Sequence, residues 1–262
     1  DSTLTIPSRG IWDMVWLNAG GNSSSILDNC VFRFGGSSGN GNLRVDGTTP
    51  AITNISSTQS SNYGLFLYNN ADATISNSTF GSNSQDGILI EQNSDPAIYG
   101  TTFVNNGRYG IHANSGSARF TVRKSKFNGN LYGIVADAGT GSATLVTLDS
   151  SDVSENLSGG LYLWYGTGAQ TFSYNRIANN GAYGLWCYNV DNLVTIEGDT
   201  ILNNGQEGIV TSKANIINNV IQGNRYPIAL MGRVNTSYSG NTISGNTYNN
   251  ALALRLNRYE ES

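Results

Sequence analysis

Charged residues, proline and cysteine are all scarce in this chain of 262 residues. Lys, Arg, Asp and Glu together make up 12% of it, about half of the usual share in globular proteins. So little charge argues against charge-driven disorder, and 38% hydrophobic residues can supply a buried core. No apolar run approaches the roughly 18 residues that a membrane-spanning helix needs. We therefore expect a soluble, folded protein that does not insert into a membrane.

A basic surface and a cysteine framework are also missing. Lys and Arg number 14 against 18 Asp and Glu, a net charge of −4, so the chain lacks the positive patch with which proteins neutralise nucleic-acid phosphates. The two cysteines, Cys30 and Cys187, do not form a C-x-x-C pair. They predict neither a disulfide-rich domain nor a thiolate zinc site.

Glycine and asparagine are abundant, and they follow a repeat of about 23 residues. A small residue followed by Ile or Leu marks each repeat. In seven repeats it is glycine: Gly64, Gly87, Gly110, Gly133, Gly160, Gly184 and Gly208. Two more apolar positions precede each glycine, with Gly, Asn and Ser clustered between them. Three short alternating segments separated by turn residues predict three strands per repeat and no helix.

An asparagine recurs three residues after the second apolar position of eight consecutive repeats. These residues are Asn83, Asn106, Asn130, Asn156, Asn180, Asn204, Asn224 and Asn246. Asparagine tolerates the left-handed backbone region and can hydrogen-bond to a stacked copy of itself, so this position predicts an asparagine ladder at a tight turn. Three strands per turn, stacked in register, predict an all-β fold, a single-stranded right-handed parallel β-helix of about ten rungs.

The same register predicts the domain organisation and the state of the cysteines. We expect residues 1–262 to form one β-helix domain, with an irregular first rung in 1–42 and a last rung in 251–262. Each end is closed either by these segments, acting as caps, or by further domains of a longer chain. Cys30 and Cys187 fall six rungs apart, about 29 Å, so we expect two free thiols, with Cys187 in the core.

The asparagine turn, the Tyr-Gly-Ile segments and the spacing of Ile75 from Phe80 resemble the repeats of the pectate-lyase-like superfamily of right-handed β-helices. The resemblance covers nearly the whole chain and implies the fold. It implies no single chemistry, because these helices serve as lyases, hydrolases, epimerases, adhesins and binding modules. The sequence signatures of polygalacturonases and of pectate lyases are missing, which argues against an enzyme. The resemblance is consistent with a secreted or cell-surface protein of bacterial origin.

Aromatic residues on two adjacent rungs form the main candidate site. Outward positions of the strand after the glycine carry Tyr162, Trp164, Trp186 and Tyr188, with Tyr165 beside them. A flat group of rings suits stacking against sugars, and Asp137 and Asn114 alongside can bind hydroxyl groups. An additional loop at 137–143 could wall a groove there. We therefore predict an extracellular protein that binds polysaccharide without cutting it; packing against protein is the alternative for this patch.

Two other functions remain open. Outward charges on the other strands are Arg123, Lys126, Asp149, Asp152 and Arg176. They could form the catalytic site of a lyase or hydrolase acting on acidic (uronate) polysaccharide, with Ca²⁺ as a possible cofactor; cross-strand ion pairs would give the same pattern. The third function is a structural stalk within a larger adhesin. We expect the single histidine, His112, to be an exposed surface residue, and the tyrosines before the glycines to form a structural stack at the turn.

Overall fold

The protein is described here from a computed structural model over residues 7–19, 25–114, 119–137, 144–164, 168–188, 193–231, 235–248 and 252–255, the last segment and residue 188 by backbone only. The strands form three parallel sheets, and each turn of the chain contributes one strand to each sheet. A short 3₁₀ turn at Ser37–Gly39 interrupts the first turns. The described part contains no helix long and apolar enough to cross a bilayer.

Sheet 1 has eleven strands, and sheets 2 and 3 have ten each. Sheet 1 consists of Val15–Asn18, Gly41–Asp46, Tyr63–Tyr68, Ile88–Ile90, Tyr109–Asn114, Tyr132–Asp137, Gly159–Trp164, Leu185–Tyr188, Glu207–Thr211, Tyr226–Met231 and Leu252–Arg255. Sheet 2 consists of Ile26–Asp28, Ala51–Thr53, Thr74–Ser76, Ala97–Tyr99, Arg119–Arg123, Leu145–Asp149, Thr171–Ser173, Val194–Glu197, Ala214–Ile217 and Ser237–Ser239. Sheet 3 consists of Val31–Arg33, Ser56–Thr58, Thr79–Gly81, Thr102–Val104, Lys126–Asn128, Asp152–Ser154, Arg176–Ala178, Thr200–Leu202, Val220–Gln222 and Thr242–Ser244.

This architecture confirms the predicted right-handed parallel β-helix. The regular solenoid comprises about eight turns, against the ten or so predicted from the repeat. Whether residues 1–42 and 251–262 act as caps stays a prediction, since residues 1–6, 251 and 256–262 lie outside the described residues.

The core is built from the inward positions that the repeat identified. Ile88 pairs in register with Leu65 and Ile111 on sheet 1, and all three are fully buried. On sheet 3, Phe103 stacks on Phe127 at a ring-centroid distance of 4.5 Å. Both cysteines are free, as predicted: Cys187 is buried in the core, and Cys30 is partly exposed. Burial raises the pKa of the Cys187 thiol far above its usual range, because the thiolate would have no water around it.

The asparagine ladder joins sheet 3 to sheet 1. The side-chain Nδ2 of Asn106 donates to Oδ1 of Asn130 at 3.0 Å and to the backbone carbonyl of Phe80 at 3.1 Å. Its own Oδ1 accepts from the backbone N–H and from Nδ2 of Asn83. Each buried amide therefore satisfies polar groups of the turn before it and of the turn after it, which a buried polar group requires.

The left-handed backbone lies at the residue directly before each ladder asparagine. Ser82 and Asn105 have φ values of 53° and 55°, and they directly precede Asn83 and Asn106, which are not in the positive-φ region. The preceding residue makes the sharp bend, and this bend turns the asparagine side chain into the solenoid.

A second polar ladder, not predicted from the sequence, joins sheet 2 to sheet 3. Its members are Ser78, Thr101, Ser125, Ser151, Asn175, Asp199, Asn219 and Asn241. From Thr101 onward, each backbone N–H donates to the side-chain oxygen of the next member, as Ser151 N does to Asn175 Oδ1 at 2.9 Å. The members of this ladder are of different residue types, so no single residue type recurs at these positions in the sequence to indicate it.

Candidate functional site

The outward face of sheet 1 carries one continuous row of side chains in register. The row runs Trp16, Arg44, Phe66, Leu89, His112, Val135, Tyr162, Trp186, Val210 and Ala229. Neighbouring members come from successive turns and lie about 4.8 Å apart along the solenoid axis. A site on this face is therefore assembled from residues that are about 23 positions apart in the chain.

The structure brings most of the predicted aromatic residues together. Tyr162 stacks on Trp164 with ring centroids 5.8 Å apart and lies 6.1 Å from Trp186 on the next turn. All three rings are partly exposed. Trp164 pairs in register with Asp137, which in turn pairs with Asn114, and both polar side chains are exposed. They thus line the same edge of the sheet as Trp164.

Some predicted parts of this site cannot be placed. Tyr188 pairs by backbone register with Trp164, and its side chain lies outside the described residues. Tyr165 and most of the predicted groove wall, residues 138–143, lie outside them too. The binding role of these residues stays a prediction.

The tyrosines that precede the glycines extend the group of rings. Tyr183 packs edge-on against Trp186 at 4.4 Å, and Tyr132 lies 5.8 Å from Tyr162. These tyrosines face outward because of the glycine that follows each of them. At Gly110, for example, a Cβ atom would lie 2.6 Å from the core ring of Phe127. Positions 110 and 111 thus both face inward, so the residue before the glycine faces outward.

We call Tyr132, Tyr162, Trp164, Tyr183 and Trp186 the aromatic platform. A glycine makes room for one of its members: a Cβ atom on Gly159 would lie 2.7 Å from Cε1 of Tyr132. The ring of Tyr132 therefore lies over Gly159, which pairs with it in register. Without a side chain at 159, the rings of Tyr132 and Tyr162 can approach each other across the turn.

The platform keeps hydrogen-bond donors next to apolar rings. Burial, with a smaller contribution from Asp137, raises the pKa of Tyr162 to about 12, so its hydroxyl keeps its proton at neutral pH. The indole N–H of Trp186 is buried and has no hydrogen-bond partner within the described segments. An unpaired buried donor costs about 1–3 kcal/mol.

His112 lies on the same row, and the structure corrects the prediction of an exposed histidine. The residue is only 8% exposed. Its Nδ1 lies 3.2 Å from Oδ2 of Asp86, a fully buried carboxylate on the previous turn, and its ring packs edge-on against Tyr109 at 4.9 Å. The other ring nitrogen, Nε2, is neither hydrogen-bonded nor sealed from solvent within the described part of the chain.

Three more polar side chains surround His112. The guanidinium of Arg108 lies over the Tyr109 ring at 4.7 Å, and its Nε is 3.8 Å from Oδ1 of Asp86. Glu91 accepts a hydrogen bond of 3.4 Å from Asn114. Burial raises the pKa of Glu91 above its usual value, against the opposing effect of His112. We call Asp86, Glu91, Arg108, Tyr109 and His112 the histidine cluster.

The predicted charged site is divided between two sheets. Arg123 and Asp149 pair on sheet 2, with Nε and Oδ2 3.8 Å apart. Lys126, Asp152 and Arg176 lie on sheet 3, where Arg176 Nη1 is 3.2 Å from Asp152 Oδ1. The sheet 3 residues line a cavity of about 190 Å³, and Arg123 and Asp149 do not. The described residues include no cluster of three or more His, Cys, Asp or Glu side chains able to hold a metal.

The N-terminal part of sheet 1 carries a second group of rings. Arg44 lies against Trp16, Phe66 and Tyr68, with its Cζ 5.1–5.7 Å from the ring centroids. It also pairs with Asp46, with Nη2 and Oδ2 3.1 Å apart. The face of sheet 1 thus has aromatic side chains on both sides of the histidine cluster, which lies near the middle of the row.

Three parallel sheets, one strand per turn and a ladder of buried asparagines define a right-handed parallel β-helix protein. A family model described as "Right handed beta helix region" matches residues 15–147 and 139–248. The chain therefore belongs to the right-handed β-helix family. No curated protein matches the sequence.

Two solved structures share the fold. Pectate lyase Pel9A is similar with a TM-score of 0.62 and 14% identity, over 94% of this chain and 69% of that one. The A-module of mannuronan C-5 epimerase AlgE6 from Azotobacter vinelandii is similar with a TM-score of 0.57 and 14% identity, over 89% of this chain and 84% of that one. At this identity the likeness shows the fold alone.

Proposed function

We propose that this protein binds a polysaccharide chain on the outward face of sheet 1, and that the aromatic platform holds the sugar rings. The observation that carries the proposal is the contiguous contact of Tyr132, Tyr162, Trp164 and Trp186 over neighbouring turns. Sugar rings present apolar C–H faces that stack on such rings, while hydroxyl groups at their edges need hydrogen-bond partners. The platform rings bind without catalysing a reaction.

Polar groups beside the rings support the same function. Exposed Asp137 and Asn114 lie in register with Trp164 and can bind sugar hydroxyls, and the protonated hydroxyl of Tyr162 can donate to them. Pectate and mannuronan, the polymers that the names of the two similar structures contain, are both polysaccharides. Such a ligand is consistent with a protein that is secreted or held at the cell surface.

Retention on polysaccharides tests the proposal. The protein would be passed over insoluble pectate, mannuronan and a neutral polymer, with and without Ca²⁺, beside a Trp164→Ala/Trp186→Ala variant. We expect retention of the wild type on at least one polymer and at least about tenfold weaker binding of the variant. Tyr99→Ala removes an exposed ring from sheet 2 and is the matched control. Equal retention of the double variant, or no retention of the wild type, would contradict the proposal.

A further inference from the structure

The imidazole of His112 presents one ring nitrogen to the outward face of sheet 1. Oδ2 of Asp86 lies 3.2 Å from Nδ1, and a carboxylate only accepts hydrogen bonds, so Nδ1 carries the hydrogen in the neutral ring. Nε2 then has a lone pair and no hydrogen. Nε2 is neither hydrogen-bonded nor sealed from solvent within the described part of the chain. In its neutral form, His112 therefore repels the oxygens of an anion.

Protonation reverses the role of this nitrogen. An imidazolium ring donates through both nitrogens, so Nε2 changes from an acceptor into a positively charged donor. Nδ1 keeps its hydrogen bond to Asp86, which holds the ring in the same place in both states. Histidine is the side chain whose ordinary titration falls between about pH 5 and 8. Mild acid thus creates a donor at a fixed position on the face.

Arg108 provides a second, permanent donor beside this nitrogen. Its Nε lies 3.8 Å from Oδ1 of Asp86, and its Cζ lies 4.7 Å from the centre of the Tyr109 ring. His112 contacts the other oxygen of Asp86 and the same ring, so the guanidinium and the imidazole are close neighbours. Nη1 of Arg108 donates to Gln85, and the side chain is 39% exposed. A guanidinium has five N–H groups, so others remain for a ligand.

The charge around this pair of donors changes sign with pH. Asp86 and Arg108 offset each other, so the balance depends on His112 and Glu91. Burial raises the pKa of Glu91, so this carboxyl group takes up its proton at a higher pH than glutamate usually does. With Glu91 ionised and His112 neutral the two add about −1, and with both protonated they add about +1. The cluster therefore repels an anion in weak alkali and attracts one in mild acid.

The other titratable groups near the imidazole keep a constant charge over this range. They are Tyr63 and Asp86 from the preceding turns, Arg108 and Tyr109 from its own turn, and Tyr132 and Asp137 from the following turn. Tyrosines are neutral, and arginines and exposed aspartates are charged, between about pH 5 and 8. Arg44, which acts on Glu91, is paired with Asp46. The change of sign thus belongs to His112 and Glu91.

We propose that Arg108 and His112 form an anion-binding site, switched on by protonation of His112, through which the face of sheet 1 binds acidic polysaccharide in mild acid. The inference rests on the proposed function, because the site lies two turns from Tyr162 on the same row, about 10 Å away. A polymer held on the aromatic platform and lying along the row therefore passes the site. The group recognised is an oxyanion on a sugar unit, either a carboxylate or a sulfate.

Retention at two pH values tests the switch. The full chain would be passed at pH 5 and pH 8 over pectate, over dextran sulfate and over neutral dextran. Both acidic polymers stay ionised at pH 5. We expect at least about fivefold stronger retention at pH 5 on an acidic polymer, and no such rise on dextran. A rise on pectate alone would identify carboxylate as the bound group, and a rise on dextran sulfate alone would identify sulfate; both results support the site.

The His112→Gln variant separates the switch from the charge of the whole protein. The chain carries −4 at pH 7 and becomes less negative in acid, so part of any rise needs no histidine. We expect His112→Gln to keep less than half of the rise. Lys126→Ala removes an exposed cation from sheet 3 and is the matched control, which should keep the rise in full. An equal rise in His112→Gln and the wild type would overturn the inference.

Because the chain contains one histidine, the unaltered protein offers a second measurement. The NMR signal of the His112 Cε1 proton follows the charge of the ring. A ligand that prefers the charged ring moves this titration to higher pH, by up to about one pH unit for a tenfold preference. We expect this displacement with an acidic oligosaccharide and none with a neutral one.

The two measurements distinguish the anion site from the aromatic platform. A titration of His112 that does not move when an acidic oligosaccharide binds would overturn the anion site and leave the platform intact. A displaced titration together with full retention of the Trp164→Ala/Trp186→Ala variant would support the anion site and contradict the platform.

Discussion

Asp199 accepts two hydrogen bonds from Asn175, one from the backbone N–H and one from the side-chain amide at 3.0 Å. Asp199 is a member of the second polar ladder. On the turn before it and on the turn after it, the equivalent member of the ladder is an asparagine. There, Nδ2 of Asn175 and of Asn219 donates to a backbone carbonyl, whereas Oδ2 of Asp199 is buried without a partner in the described part of the chain. A protonated carboxyl group, which can donate, suits this position better than a carboxylate.

The folded protein should lose stability between about pH 4 and pH 7, because the unfolded chain releases the Asp199 proton at a lower pH than the folded protein does. Burial raises the pKa of Asp199 from 3.8 to about 7, so the stabilising effect of the neutral form is complete below about pH 4 and is lost as the pH rises through 7. We expect Asp199→Asn to raise the free energy of unfolding at pH 8 by about 2–4 kcal/mol, and by less at pH 5. Urea unfolding at both pH values measures this difference.

Glu197→Gln is the matched control, because it removes a carboxylate two residues away on the outward side of sheet 2. This variant should change stability by less than about 0.5 kcal/mol at either pH. A gain from Asp199→Asn that is the same at pH 5 and pH 8 would show that Asp199 does not titrate on unfolding.

Asn130 illustrates how much one rung of the asparagine ladder contributes. Its side chain donates to Asn156 and to the carbonyl of Phe103, and it accepts from the N–H and the amide of Asn106. Asn130→Ala leaves several of these buried groups unpaired, each at about 1–3 kcal/mol. We expect a loss of at least about 3 kcal/mol in the free energy of unfolding, measured by urea denaturation.

The comparison variant for this rung is Asn128→Ala, which truncates an exposed asparagine on the same turn. Its effect should stay within about 0.5 kcal/mol. Similar losses in the two variants would mean that neighbouring turns can rearrange to satisfy the exposed polar groups, and that the ladder is not a strong constraint on the solenoid.

Gly159 should affect ligand binding through Tyr132. In Gly159→Ala the new Cβ atom would meet the Tyr132 ring at 2.7 Å, so the ring must move away from Tyr162 and the platform loses a member. We expect a two- to tenfold weaker retention on the bound polysaccharide, with a change in unfolding free energy of about 1 kcal/mol or less. Affinity measurements on Gly159→Ala, Tyr132→Ala and the double variant would show this coupling.

In that comparison, the double variant should bind no more weakly than Tyr132→Ala alone, because the glycine acts only through the ring. Additive losses would indicate that residue 159 contributes to binding independently of Tyr132.

The strands, their inward faces and the asparagine ladder follow from the sequence because each depends on one position of a regular repeat. The second ladder could not be predicted, since Ser151, Asn175 and Asp199 share a function without sharing a residue type. The pairing of His112 with Asp86 was missed for another reason. The two residues lie 26 positions apart on neighbouring turns. At the glycine of each turn the backbone bends, so the simple alternation of inward and outward side chains breaks there. A prediction that relies on alternation alone therefore places these side chains on the wrong side.

The register of sheet 1 has a consequence for how such a protein can change over time. Each turn adds one outward side chain to the row, and its core and ladder positions match those of the turns on either side. Duplication of a single turn would lengthen the ligand-facing row by about 4.8 Å while the interior contacts are kept. The length of polymer that the surface contacts can thus change by gene duplication. The residues that contact each sugar unit can change separately, by point substitution.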